Sequence, residues 1–249
     1  MIELYNGDCL EVMDGLIEQG VIVDAIICDP PYGTTACKWD TIIPFKPMWE
    51  RLNKLIKPNG AIVLFGSEPF SSALRMSNIK DYKYDWIWQK NNAGNFQIVK
   101  YQPLKKHEII SVFSKKSHNY YPQGLKECNK VQSNKGKAGK LGHLGSEKLR
   151  KEYRQTKTGY PNSNLFFSRP PKPIYPTQKP VPLMEYLIKT YTNEGEIVLD
   201  FTMGSGTTMV ACKNTNRKGI GIELDKTIFG TANNRINTTE VNNEDKRHI

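Results

Sequence analysis

Six residues, Val23-Asp24-Ala25-Ile26-Ile27-Cys28, run straight into Asp29-Pro30-Pro31-Tyr32, and that junction narrows the possible folds sharply. A short, largely apolar run bounded by prolines reads as a strand that must stop where the prolines begin, because proline lacks the N–H that a sheet interior needs. The residues around it repeat the theme. Runs at 2–5, 61–65, 82–88 and 108–113 read as further strands, while 10–17, 48–56 and 70–76 carry apolar residues at helical spacing. Pro58-Asn59-Gly60 is expected to end the second helix. Strands alternating with helices describe an α/β sheet fed by crossover helices. Asp29 then lies where a parallel strand ends, the edge at which open α/β sheets bind ligands.

The pattern returns near the other end of the chain. A helix is expected through Leu183, Leu187 and Tyr191, then a strand at Ile197–Asp200, a glycine loop, a helix from Thr207, a strand over 219–224 and a last helix over 227–236. Between the two halves the character changes. Residues 115–172 hold fourteen Lys or Arg against three Glu and no Asp, a local excess larger than the net +10 of the whole chain. Such a stretch, rich in Gly, Ser, Asn and Lys, reads as a loosely folded insertion. The expected division is therefore 1–114, 115–173 and 174–249.

Other classes are disfavoured. There is no run of eighteen apolar residues, and Met1-Ile2-Glu3-Leu4 does not resemble a secretory leader, so a cytoplasmic protein that neither spans nor crosses a membrane is expected. Five scattered cysteines form no C-x-x-C pair, and the four histidines lack ligand spacing, so neither a disulfide framework nor a metal site is expected. Cys28 reads as an inert core thiol.

Three stretches carry chemistry. In Asp29-Pro30-Pro31-Tyr32 the prolines fix the backbone, leaving carbonyl oxygens, a carboxylate and an aromatic ring on a rigid platform. Asp29 as a simple turn cap is the plain alternative. Asp200-Phe201-Thr202-Met203-Gly204-Ser205-Gly206-Thr207-Thr208 is a strand end, a glycine loop and a helix start, which together let backbone amides meet an anionic group. Seventeen residues after Gly206, Glu223 ends the next strand, the usual place for an acid that bonds ribose hydroxyls. Met209 replaces the third glycine of a dinucleotide fingerprint and no G-K-[ST] follows, which disfavours NAD and ATP. The third stretch, Tyr175-Pro176-Thr177-Gln178-Lys179-Pro180, is a polar segment just before a helix.

In their order along the chain the three stretches resemble the β group of DNA amino-methyltransferases, with a D-P-P-Y motif first, a target-recognition region next and the methyl-donor loop last. The resemblance extends to Gly7-Asp8-Cys9, Trp88-Gln89-Lys90 and His107-Glu108. It implies a Rossmann-like fold dependent on S-adenosylmethionine, with a mostly parallel seven-stranded sheet in circularly permuted order, helices on both faces and a basic target-recognition insertion. It implies that Asp29, Pro30, Pro31 and Tyr32 are catalytic. Asp8, Cys9, Thr177, Gln178, Lys179, Asp200, Gly204, Ser205, Gly206, Thr207, Thr208 and Glu223 would bind the donor, with Asp8 at its adenine ring and Gln178 and Lys179 at its methionine end.

The implied activity is site-specific transfer of a methyl group to adenine N6 in double-stranded DNA, of the restriction-modification kind, by a monomer or homodimer. Cytosine N4 is the second target, for which Ser more often leads the motif, and a catalytically inactive nucleic-acid binder is the third reading. Trp39 and Lys90 are candidates for the base pocket, with core packing an equally available role for Trp39. Lys148, Arg150, Lys151 and Arg154 are candidates for phosphate contacts, with a solvated loop as the alternative. Two positions depart from the family pattern: Tyr175 stands where His is usual, and Phe201-Thr202 replaces Pro-Phe.

Overall fold

The computed structural model describes residues 1–34, 40–132, 153–175 and 177–239. They form two compact units, Met1–Tyr121 with Ser163–Ile249, and Pro122–Asn162. In chain order the elements are β1 (Ile2–Asn6), α1 (Cys9–Glu18), β2 (Val23–Cys28), α2 (Phe45–Leu55), β3 (Ile56–Gly66), α3 (Phe70–Ser77), β4 (Tyr82–Gly94), β5 (Lys105–Phe113), β6 (Lys126–Gln132), β7 (Tyr153–Thr158), β8 (Asn164–Phe166), α4 (Val181–Tyr191), β9 (Ile197–Asp200), α5 (Thr207–Asn214), β10 (Lys218–Glu223) and α6 (Lys226–Thr238).

The larger unit is built on an eight-stranded sheet in the order β1-β10-β9-β2-β3-β5-β4-β8. All described pairings in it are parallel except those of β5, which runs against β3 and β4. From β2 the chain steps outward to β3, whereas from β9 it steps the opposite way to β10, which lies beside the first strand, β1. The order reverses between β2 and β9, so a crevice opens at the carboxyl ends of these two strands. Asp29 and Asp200 stand on its two sides.

Every residue of β2 is buried, and the alternation of its side chains supplies both cores. Ala25 and Ile27 join α4, α5 and α6 on one face; Ile26 and Cys28 join α1, α2 and α3 on the other. In α2 the buried residues are Met48, Trp49, Leu52 and Leu55, one stripe of a 3.6-residue repeat. Trp49 packs on Phe113 at 4.9 Å and donates its indole N–H to Ser77 at 2.7 Å. Leu52, fully buried, is the side chain whose truncation to Ala would loosen this face most simply, by about 2–5 kcal/mol.

The structure corrects two boundaries. The second helix begins at Phe45 and stops at Leu55, and Pro58-Asn59-Gly60 lies inside β3. Ile56 pairs with Val23 before the register shifts to Ala25 opposite Ala61, so the proline and glycine occupy an irregular stretch rather than a turn. There is also one strand more than the seven expected, because Asn164–Phe166 pairs with β4 at the sheet edge. Within the smaller unit β6 and β7 pair antiparallel. No helix among the described residues is long and apolar enough to cross a membrane.

Candidate active site

The Asp29 loop is held from three sides. Asp40 accepts the backbone N–H groups of Tyr32 at 2.8 Å and Gly33 at 2.9 Å with one carboxylate oxygen, and that of Thr34 at 2.8 Å with the other. Gly33 has φ 66°, and a Cβ there would meet Ile42 at 2.8 Å, so both conformation and space call for glycine. The Tyr32 ring stacks on Phe70 with centroids 5.1 Å apart, and its hydroxyl donates to Asp29. From across the crevice the Thr202 hydroxyl donates to the Asp29 carbonyl at 3.1 Å.

Behind Asp29 stands a row of charges. Lys179 pairs with Asp29 and lies 3.3 Å from Glu108, and Glu108 in turn pairs with Lys90. Burial pushes the Asp29 carboxyl above its ordinary value, and the Lys179 ammonium draws it part of the way back. Burial alone would depress Lys179; the two carboxylates overcome this and hold it above its usual range. Glu108 is held low, since its two lysines outweigh the cost of its own burial.

Across the crevice, β9 ends on buried Asp200, whose carboxyl burial raises to about 6 while the Thr208 hydroxyl and the Thr202 N–H donate to it. The loop turns through Gly204 and Gly206, both at positive φ, and a Cβ at Gly206 would meet Ile236 at 2.8 Å. Gly206 opens α5 without a side-chain cap. Glu223 accepts the Gly204 N–H at 3.0 Å and the Asp225 N–H at 2.9 Å, which locks β10 to the glycine loop. Arg235 on α6 donates to the Ser205 carbonyl at 2.9 Å and the Thr207 hydroxyl at 3.0 Å.

A cavity of about 970 Å³ joins the two sides. Of the residues singled out from the sequence, Asp8, Cys9, Asp29, Pro30, Pro31, Tyr32, Lys90, Thr177, Gln178, Lys179, Asp200, Gly204, Ser205, Thr207, Thr208 and Glu223 all line it. Gly206 packs behind, against α6. Asp8 caps α1, accepting the Leu10 N–H at 2.8 Å. Gln178 accepts the Ile174 N–H at 2.8 Å. Cys9 has its thiol pushed up to about 12 by burial, so it stays protonated. Arg154 lies on β7 in the smaller unit. Trp39, Lys148, Arg150 and Lys151 fall outside the described residues.

Sequence reasoning missed Asp40, Arg235 and the structural use of Thr202, and named Glu108 only through the resemblance. Asp40 lies eleven residues beyond Asp29 with no pattern to mark it. Thr202 did carry a signal, as a polar residue where the family pattern has an apolar one.

The model of the N6/N4 family, described as DNA methylase, matches residues 23–234. The chain belongs to the N6/N4 DNA methylase family. This methyltransferase is 29% identical over 249 residues to the type II methyltransferase M.HpaI of Haemophilus parainfluenzae, covering 94% of this chain and 74% of that protein. It is 28% identical over 242 residues to M2.DpnII of Streptococcus pneumoniae, covering 86% and 82%. Among solved structures, M1.HpyAVI in complex with SAM aligns with a TM-score of 0.66 and 31% identity, covering 94% of this chain and all of that one. The cytosine-N4-specific PvuII methyltransferase, at 16% identity and a TM-score of 0.66 over 97% of this chain and 87% of its own, shares the fold.

Proposed function

We propose that this DNA methyltransferase acts on the N6 amine of adenine in duplex DNA at a short specific site, with S-adenosylmethionine as donor. The observation that carries the reading is the place of Asp29: a carboxylate in the cavity wall, opposite the glycine loop and beside a stacked aromatic ring.

The cavity's donor side suits S-adenosylmethionine. The uncapped start of α5 offers amides and a positive dipole to a carboxylate, and Glu223 at the end of β10 is placed to accept from ribose hydroxyls. Asp8 is the candidate for the adenine end and Thr177 and Gln178 for the methionine end. When bound, the donor supplies an electrophilic methyl group on a sulfonium.

The chain's own residues do the rest. An exocyclic amine is a poor nucleophile because its lone pair is delocalised into the ring. Asp29 and the Pro30 carbonyl accept hydrogen bonds from its two N–H groups, which favours a pyramidal nitrogen and stabilises the positive charge that develops as the methyl leaves sulfur. The methylated nitrogen then gives up one proton, and the sulfur leaves as a neutral thioether. Tyr32 offers a face on which a base extruded from the duplex stacks, and extrusion is required because the amine cannot otherwise reach a buried methyl group. Hydrogen-bond count does not separate adenine from cytosine, since both amines carry two protons. The larger purine gains more from stacking on Tyr32, and Asp leads the motif here, as in adenine-specific relatives of the resembled group. The basic segment within 115–173 reads as the part that contacts phosphates and recognises the site.

The decisive experiment incubates the protein with labelled donor and DNA, digests the product to nucleosides and separates them by mass. Label in N6-methyladenine is the expected result; label in N4-methylcytosine would replace adenine by cytosine.

A further inference from the structure

The sequence motif around Lys179 suggested a contact to the donor's methionine end; in the structure its ammonium is engaged with carboxylates. Its side chain is only 8% exposed, and its charge is already matched by two carboxylates: Asp29, with which it is hydrogen-bonded, and Glu108, 3.3 Å away. It also sits over the Phe65 ring at 5.2 Å. Glu108 is fixed in turn by Lys90, whose ammonium rests over the Trp88 ring at 5.1 Å. Asp29, Lys179, Glu108 and Lys90 thus form a row of alternating sign that starts at the acceptor carboxylate and ends on β4.

We infer that Lys179 is a positioning residue for Asp29: backed by Glu108 and Lys90, it keeps the acceptor carboxylate ionised and fixed in direction, a task separate from holding the donor. The physical need is plain. Asp29 is largely withdrawn from water, where a lone carboxylate would take up a proton and cease to be a full acceptor. Asp29 also faces the Tyr32 hydroxyl, the Cys28 thiol and the carboxyls of Asp200 and Glu108, none of which is a cation. Among the described residues Lys179 is the cation that faces it, and it bonds one carboxylate oxygen while Tyr32 bonds the other, so the carboxylate cannot rotate freely. Glu108 prevents Lys179 from adding an uncompensated positive charge beside a site that must also admit a sulfonium. The inference rests on the proposed reading of Asp29 as hydrogen-bond acceptor for the target amine.

The test reads Asp29 directly. The carboxyl 13C resonance of Asp29, assigned by its loss in Asp29→Asn, is followed against pH in the full-length chain and in Lys179→Met, Lys179→Arg and Glu108→Gln. Removing the cation should raise the midpoint by about one pH unit or more, removing Glu108 should lower it, and Lys179→Arg should leave it within about half a unit. In parallel, Lys179→Met should bind S-adenosylmethionine within about threefold of the parent by calorimetry, while kcat for transfer falls by roughly a hundredfold and its acid limb moves to higher pH. An Asp29 midpoint unmoved in Lys179→Met, or moved the same way in Lys179→Met and Glu108→Gln, overturns the inference. So does a donor affinity that collapses while the midpoint stays put, which would return Lys179 to donor binding. Should Lys179→Met not fold, the sign of the Glu108→Gln shift decides. The resonance and the calorimetry need no turnover, so a parent protein that methylates neither amine of DNA would overturn the functional reading and leave this one to stand or fall on its own.

Discussion

The Thr202 hydroxyl and the Asp29 carbonyl are joined by a 3.1 Å hydrogen bond across the crevice. The same hydroxyl lies 2.9 Å from the Cys28 thiol, within hydrogen-bonding reach. One side chain therefore ties the loop that follows β9 to both the last residue of β2 and the residue after it. Thr202→Val keeps the shape and removes the tie. Stability should drop by about 1–3 kcal/mol in denaturant unfolding. The value of kcat should fall by roughly tenfold with little change in the KM for donor. Unchanged turnover would mean that the two loops hold their spacing without the bond.

Asp40 bonds three consecutive amides, and those amides set the direction of Tyr32. Asp40→Ala strips all three of their acceptor and should cost about 2–3 kcal/mol of stability, since hydrogen bonds to a charged group are the stronger kind. Turnover should fall by roughly a hundredfold because the loop loses its geometry. Asp40→Asn, which keeps one acceptor oxygen, should recover part of both losses. Equal behaviour of the Ala and Asn variants would show that the amides do not depend on this side chain.

Asp29→Ala should abolish methyl transfer while S-adenosylmethionine affinity stays within a few-fold of the parent. The carboxylate stands across the cavity from the glycine loop, and its bonds are to Tyr32 and Lys179. Calorimetric titration and a transfer assay on the same preparation decide this. Near-normal turnover in the variant would remove Asp29 from the chemistry.

Asp200 makes stability depend on pH. Its carboxyl is raised from an ordinary value of 3.8 to about 6. The folded state therefore holds the proton more tightly than the unfolded chain, and the stability this gives is complete below the lower value and lost as pH rises through the higher one. Asn does not titrate, so Asp200→Asn should gain stability relative to the parent between about pH 4 and pH 7, by up to ~3 kcal/mol. Denaturant unfolding at a series of pH values measures the trend, and a difference that is flat with pH would show the carboxyl to be unperturbed.

The basic segment should dominate the salt dependence of DNA binding. Log affinity is expected to fall with log salt by about 0.9 for each phosphate contacted. Neutralising Lys148, Arg150, Lys151 and Arg154 together should flatten that slope. A slope identical to the parent's would place the phosphate contacts on other residues.

The α/β class and the order of elements were legible because they depend on local patterns. The apolar run at β2, the glycine loop after β9 and the helical stripe of α4 each announce themselves within ten residues. What was not legible depends on distance along the chain. Lys179 meets Asp29 across 150 residues, and Arg235 reaches back about 30 to the glycine loop. The motif marked Lys179 but not its partner, and Arg235 does not differ in sequence from an ordinary surface cation. The strand β8 escaped for another reason. It is three residues long, and only its pairing with β4 makes it a strand. Pro58 and Gly60 misled the boundary between α2 and β3 because local breaker signals cannot register that Ile56 already pairs with Val23.

The place of β2 between β9 and β3 has a consequence for how the protein comes into being. During synthesis the acceptor loop leaves the ribosome about 170 residues ahead of the strand that must lie beside it, and the charged segment emerges in between. Until β9 arrives, one edge of β2 lacks its partner, and Asp29 has no Thr202 to hold its carbonyl. A nascent chain stopped after residue 172 would carry the basic segment but no assembled cleft. Contacts of such long sequence separation form late and slowly. The cleft that brings Asp29 beside the glycine loop is thus completed only once β9 has been made, long after the loop itself.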